Sequence, residues 1–199
     1  EGQTWTLQSN SPNLLGWDYD GSDNGGQAWY DLAFAVSPIN EDILFVGGVN
    51  CWKSTDGGQS WNINTHWYGA SGSTYMHADE HMIKYNPLNN YIYSGNDGGL
   101  YFSDNNGTNW TDISDGLHIT QFYSLGVSQT VQDKVITGSQ DNGTFLKTNI
   151  TWDAVIGGDG MECIIDYTNS NIMYGALYYG DVRKSTNGGN GFSTISTGN

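Results

Sequence analysis

The sequence predicts an all-β chain: a β-propeller segment of about four blades, each of four antiparallel strands. Three observations predict it. Charged residues make up only 14% of 199 residues, while Gly (28), Trp (8) and Tyr (13) are abundant. That balance belongs to aromatic and β-branched strands separated by Gly, Asn and Asp turns. A short block recurs in register along the chain, and no segment sustains a helical period.

The recurring block settles the organisation. Ser54 to Trp61 reads S-x-D-x-G-x-S-W, with Asp56 and Gly58 at its centre. Ser103 to Trp110 repeats it with Asn105 in the acidic place and Gly107 after it. Ser185 to Phe192 repeats it again, with Asn187, Gly189 and a closing Phe. Lys147 to Trp152 is a shortened version, and Gly2 to Trp5 is the back half of another. The closing aromatics Trp5, Trp61, Trp110, Trp152 and Phe192 stand 56, 49, 42 and 40 residues apart, the length of one propeller blade with insertions in the first two. The block is an Asp box: its Asp or Asn accepts backbone N–H groups inside a tight turn, Gly supplies positive φ, and the aromatic pins the hairpin to the core. The whole of 1–199 thus reads as a single propeller segment, its blades ending near Trp61, Trp110, Trp152 and Phe192.

Each interval divides into four strands. In the first blade these cover 29–36, 43–46, 51–53 and 60–63. First strands follow at 81–85, 122–127 and 161–166, and second strands at 91–93, 134–137 and 171–174.

This register places the polar residues. Boxes join third to fourth strands and mark one face; the second-to-third loops and the blade crossings lie on the other. The loops are 95–99 (GNDGG), 140–143 (QDNG) and 178–181 (YYGD). Asp18, His77, Asp79, Asp97, Asp141 and Asp159 are therefore expected on one rim, beside Trp17, Trp67 and Tyr68. In any one loop the bland role of such an Asp is to cap its own turn; their convergence makes this rim a candidate ligand-binding surface. Asp79, Asp97, Asp141 and Asp159 are also the candidate catalytic carboxylates. His77, Asp79 and His81 alternate, so a strand would project them to one side as a zinc-type set; calcium on the Asp-rich loops is the other metal expectation. Neither is required by the fold.

A formal charge of −15 with six basic residues excludes the clustered Lys and Arg of nucleic-acid binding or of anionic membrane surfaces. A neutral glycan, a cation or a basic protein fits better. No apolar run reaches membrane-spanning length. Cys51 and Cys163 sit beside apolar residues in strands, either as buried free thiols or as a disulfide.

The ordered series HADEH (77–81), GNDGG (95–99), QFYSLGVSQ (121–129), QDNG (140–143) and GGDGMECIIDY (157–167) resembles the Asp-box propellers of the sortilin-like and xyloglucanase-like glycoside hydrolase superfamily. It is most similar to the secreted, type IX-exported surface proteins of Bacteroidetes. The resemblance implies an extracellular or cell-surface location and further blades or modules, so the chain is expected to be part of a longer protein or assembly. It also implies a carbohydrate- or protein-binding module; the alternatives are a polysaccharide-active glycoside hydrolase with paired Asp residues and a structural segment of an extracellular assembly. Sialidase chemistry, which grips its substrate with three arginines, does not fit a chain with Arg183 alone.

Overall fold

Short strands joined by tight turns pair with their sequence neighbours, and the computed structural model shows this from end to end. It describes residues 2–196, which fall into two compact units that divide between Leu117 and His118. Each unit holds two blade-like sheets with strands in sequence order.

In the first unit, β1 (Ala33–Val36), β2 (Leu44–Gly47), β3 (Cys51–Ser54) and β4 (Asn62–His66) pair antiparallel, and β5 (Thr74–Tyr75) adds a parallel edge to β4. The second sheet is β6 (Glu80–Tyr85), β7 (Ile92–Asn96), β8 (Gly99–Ser103) and β9 (Thr111–Asp112). In the second unit, β10 (Phe122–Val127), β11 (Lys134–Ser139), β12 (Gly143–Thr148) and β13 (Thr151–Ile156) form one sheet. β14 (Cys163–Ile165), β15 (Met173–Ala176), β16 (Val182–Ser185) and β17 (Ser193–Thr194) form the other. Among the described residues no helix is long and apolar enough to cross a membrane.

Two strand expectations change. The first strand begins at Ala33 rather than residue 29, because Tyr30 and Asp31 both donate their N–H to the Gln27 carbonyl and close a turn. β5 has no counterpart in the sequence reading; it comes from the long crossing after β4.

The cores lie between the paired sheets of each unit. Ala33, Ala35, Phe45, Cys51, Met76, Ile83, Ile92 and Tyr101 form one; Ile136, Leu146, Cys163, Ile165 and Met173 form the other. Each large apolar side chain buried this way contributes about 1.5–3 kcal/mol. Cys51 and Cys163 are buried free thiols, one in each core, so the disulfide alternative falls. The sheets approach closely at Gly47, where a Cβ would stand 2.5 Å from the Glu80 Cβ.

The three full repeats share one turn geometry. Ser54 Oγ accepts the Gly58 N–H (2.9 Å) and donates to Asp56 Oδ1 (2.8 Å). Ser103 does so with Gly107 (2.8 Å) and Asn105 (2.9 Å), and Ser185 with Gly189 (3.0 Å) and Asn187 (2.8 Å). Asp56 also takes the Ser60 N–H and hydroxyl, which holds its carboxyl down at about 2. Trp110 and Phe192 pack against the cores, and half-buried Trp61 donates its indole N–H to the Gly58 carbonyl. Trp5 and Trp152 depart from the expectation. Trp5 is 90% exposed; Trp152 is 48% exposed and stacks on Phe122 outside the core. Residues 149–150 make a hairpin too short for the Ser–Asx–Gly geometry, so nothing there directs the ring inward.

Candidate functional site

The site-bearing end of the first unit is the end away from the repeated turns. There the Gln27 turn, the start of β6 and the two-residue Asp97–Gly98 connection between β7 and β8 come together. Gln27 Nε2 donates to Asp79 Oδ1 (2.7 Å) and to Asp31 Oδ2 (3.2 Å), so one amide holds two carboxyls side by side. Asp97 accepts the Tyr30 hydroxyl (2.7 Å) and meets His81 Nε2 at 2.6 Å. The Tyr30 ring stands edge-on to His81 with centroids 5.0 Å apart. An oxygen of Asp79 lies within 4.8 Å of one of Asp97.

The electrostatics follow from this crowding. Burial first, then the neighbouring Asp31 charge, lifts the Asp79 carboxyl to about 7. Burial raises Asp31 as well. Next in sequence, Glu80 turns into the core, where the Ser94 hydroxyl and the Asn96 amide donate to it, and burial carries it to about 8. Desolvation disfavours the ionised form of each.

An aromatic group flanks the end of β4. His66 is fully buried, and its Nδ1 accepts the Tyr68 N–H at 3.3 Å. Trp67 stacks on His66 at 5.8 Å, Tyr68 meets it edge-on at 4.1 Å, and Tyr19 approaches at 6.5 Å. Asn50 Nδ2 donates to the Trp17 and Gly16 carbonyls and so ties the 16–18 segment to the β2–β3 connection. Trp17, Trp67 and Tyr68 remain 49%, 46% and 58% exposed.

Of the residues expected on the rim, Trp17, Asp18, Trp67, Tyr68, His77, Asp79 and Asp97 belong to the first unit, and Asp79 and Asp97 are brought together there. Asp141 and Asp159 belong to the second, where Asp159 Oδ1 accepts the Asp141 N–H (2.7 Å) and braces the QDNG turn. The alternation of His77, Asp79 and His81 does not hold. β6 begins only at Glu80, and Asp79 has φ 67°, which breaks the strand period. His77 instead contacts the Ala78 carbonyl, and His81 turns to Asp97. Gln27, Tyr30 and Asp31 escaped the sequence reading: Tyr30 and Asp31 lay inside the expected strand 29–36, and Gln27, just before it, carried no turn signal.

No family model and no curated protein matches the chain. Among solved structures it is similar to the GH74 enzyme of Niastella koreensis, at 20% identity and a TM-score of 0.35, over 82% of this chain and 29% of that one. The GH74 xyloglucanase of Xanthomonas campestris gives 14% identity and 0.36 over the same shares. YCF48 from Cyanidioschyzon merolae gives 11% and 0.31, over 77% of this chain and 55% of that one. The chain spans less than a third of the two GH74 chains.

Proposed function

We propose that the chain is a secreted or cell-surface Asp-box propeller module that binds carbohydrate through the face opposite its boxes. On this reading the four sheets are blades of a larger propeller of the sortilin-like and xyloglucanase-like kind. One observation carries it: Trp67 and Tyr68 are fixed by ring contacts to the buried His66, yet keep about half their surface open to solvent. Rings held rigid and left wet stack on sugar faces at little cost in side-chain freedom. The carboxylates at the same end supply acceptors for sugar hydroxyls.

The test is calorimetric titration of the chain with neutral oligosaccharides. Binding weakened by Trp67→Ala or Tyr68→Ala, with no release of new reducing ends, supports the reading. Binding to an extracellular protein through the same rings, with none to glycans, would replace carbohydrate by that partner.

A second reading, a polysaccharide-active hydrolase, has its own support. Asp79, raised to about 7, is a proton donor near neutrality, and an Asp97 oxygen lies within 4.8 Å of it. A protonated and an ionised carboxyl in one site are what glycosidic cleavage uses. Turnover lost in Asp79→Asn while binding persists would put this reading first.

A further inference from the structure

Five Asn–Gly pairs occur in the chain, at Asn24, Asn106, Asn142, Asn187 and Asn190. Glycine has no Cβ to crowd its own nitrogen, so after asparagine that nitrogen can reach the asparagine side-chain carbon. A nitrogen whose hydrogen is already engaged is held back from the attack. Four of the five are held. Gly25 N–H donates to Asp23 Oδ1 (2.6 Å), Gly107 N–H to Ser103 Oγ (2.8 Å) and Gly188 N–H to the Asn171 carbonyl (3.0 Å). Gly143 is paired with Ser139 in the β11–β12 ladder. The Gly191 N–H makes no hydrogen bond among the described residues. This open amide is peculiar to the third full repeat. At the same place in the first two, the Ser60 and Asn109 N–H groups donate to Asp56 and Asn105, each at 2.9 Å. The residue before it is Gln59, Thr108 or Asn190, so the third repeat alone sets asparagine beside an unheld glycine amide. Asn190 and Gly191 are both exposed, and a Cβ built on Gly191 would find its nearest neighbour 3.8 Å away, which leaves room to rearrange.

We propose that Asn190 is the site of spontaneous deamidation in the folded chain. The Gly191 nitrogen, losing its proton to solvent base, forms a bond to Asn190 Cγ, and the side-chain nitrogen leaves as ammonia. Water then opens the cyclic succinimide at either carbonyl, giving aspartate or, with the backbone rerouted through the side chain, isoaspartate. One water is consumed and one ammonia released. The reaction gives up the 2.9 Å bond from Asn190 Nδ2 to the Asn187 carbonyl, which otherwise ties the side chain across its turn. Isoaspartate lengthens the backbone by one carbon two residues before Phe192, whose ring packs on the second core. The modification therefore loosens the residue that closes the last hairpin, and it adds negative charge to an acidic chain. The proposal does not rest on glycan binding.

The test is incubation of the full chain at mildly alkaline pH, followed by peptide mapping with mass spectrometry and enzymatic methylation of isoaspartate. In the folded chain Asn190 should convert about five- to tenfold faster than Asn24, Asn106, Asn142 or Asn187, the factor that an amide hydrogen bond of ordinary net strength provides. In concentrated urea, which frees all five amides, the five rates should converge. Gly191→Ala crowds the attacking nitrogen and should slow conversion at Asn190 while leaving the other four unchanged. The aged chain should unfold at a lower temperature than the fresh one. Asn190→Asp, which carries the charge on an ordinary backbone, should unfold as the fresh chain does. Folded-state conversion at Asn190 no faster than at the other four, or the same ranking in urea, overturns the assignment. Equal thermal midpoints for aged and fresh chain overturn the effect on the Phe192 hairpin.

Discussion

Lys53 Nζ donates to the carbonyl oxygen of Asn106 over 2.7 Å, joining β3 of the first sheet to the repeated turn of the second. In the second unit Lys134 Nζ donates to the equivalent carbonyl, that of Gly188, at 3.3 Å, and to Ser170 at 3.0 Å. The acceptor occupies the fourth position of the turn in both cases, but the donors come from different strands, β3 and β11. Burial lowers the pKa of both lysines. Lys53→Met and Lys134→Met should each cost about 1.5–3 kcal/mol, the range for a hydrogen bond from a charged group. Urea unfolding of each variant checks it; an unchanged midpoint would show that the ammonium groups are only bystanders.

Glu80 makes stability depend on pH. Its folded value, about 8, stands above the ordinary 4.5, so the folded state keeps a proton that the unfolded chain releases. Stability is therefore full below about 4.5 and falls as pH rises toward 8. Glu80→Gln should flatten that slope in a series of denaturant titrations across this window. A slope that persists unchanged in the variant would assign it to other groups.

The paired left-handed residues of the repeated turns tolerate little. Gly107 has φ +77°, and a Cβ there would stand 2.7 Å from the Phe45 ring. Gly189 has φ +99° and presses against Leu146. Gly107→Ala and Gly189→Ala combine backbone strain with overpacking and should cost about 1–3 kcal/mol each. Gly116→Ala has φ +83° with no atom within 4 Å, and so isolates the backbone contribution in the same assay.

The closing aromatics divide in the same way. Phe192→Ala and Trp110→Ala remove rings packed on a core and should lose about 2 kcal/mol or more. Trp152→Ala removes a half-exposed ring and should lose clearly less. Equal losses at Trp152 and Phe192 would restore Trp152 as a true closing aromatic.

Strand order and the repeated turns were legible because they are local: alternation, turn chemistry and spacing act over a few residues. Ser54, Ser103 and Ser185 behave alike because their partners are two and four residues away. The site was legible only in part. Asp79 and Asp97 stood out from the HADEH and NDGG loops, but what fixes Asp79 is Gln27, 52 residues before it, and what holds Asp97 is Tyr30, 67 residues before it. Such a partner leaves no periodic trace. The left-handed backbone of Asp79 is equally silent, and it overturned the His77–Asp79–His81 alternation. Lys53 and Lys134 went unnoticed because the repeat preserves the carbonyl they reach and not the strand they reach from.

The two thiols give each half of the molecule its own reporter. Cys51 sits at 0% exposure in the first core and Cys163 at 1% in the second, and burial raises both, Cys163 to about 11. A soluble thiol reagent reaches either sulfur only while its surroundings are open. Labelling rates measured in Cys51→Ser and Cys163→Ser therefore time the breathing of the two units separately, without any probe being added to the chain.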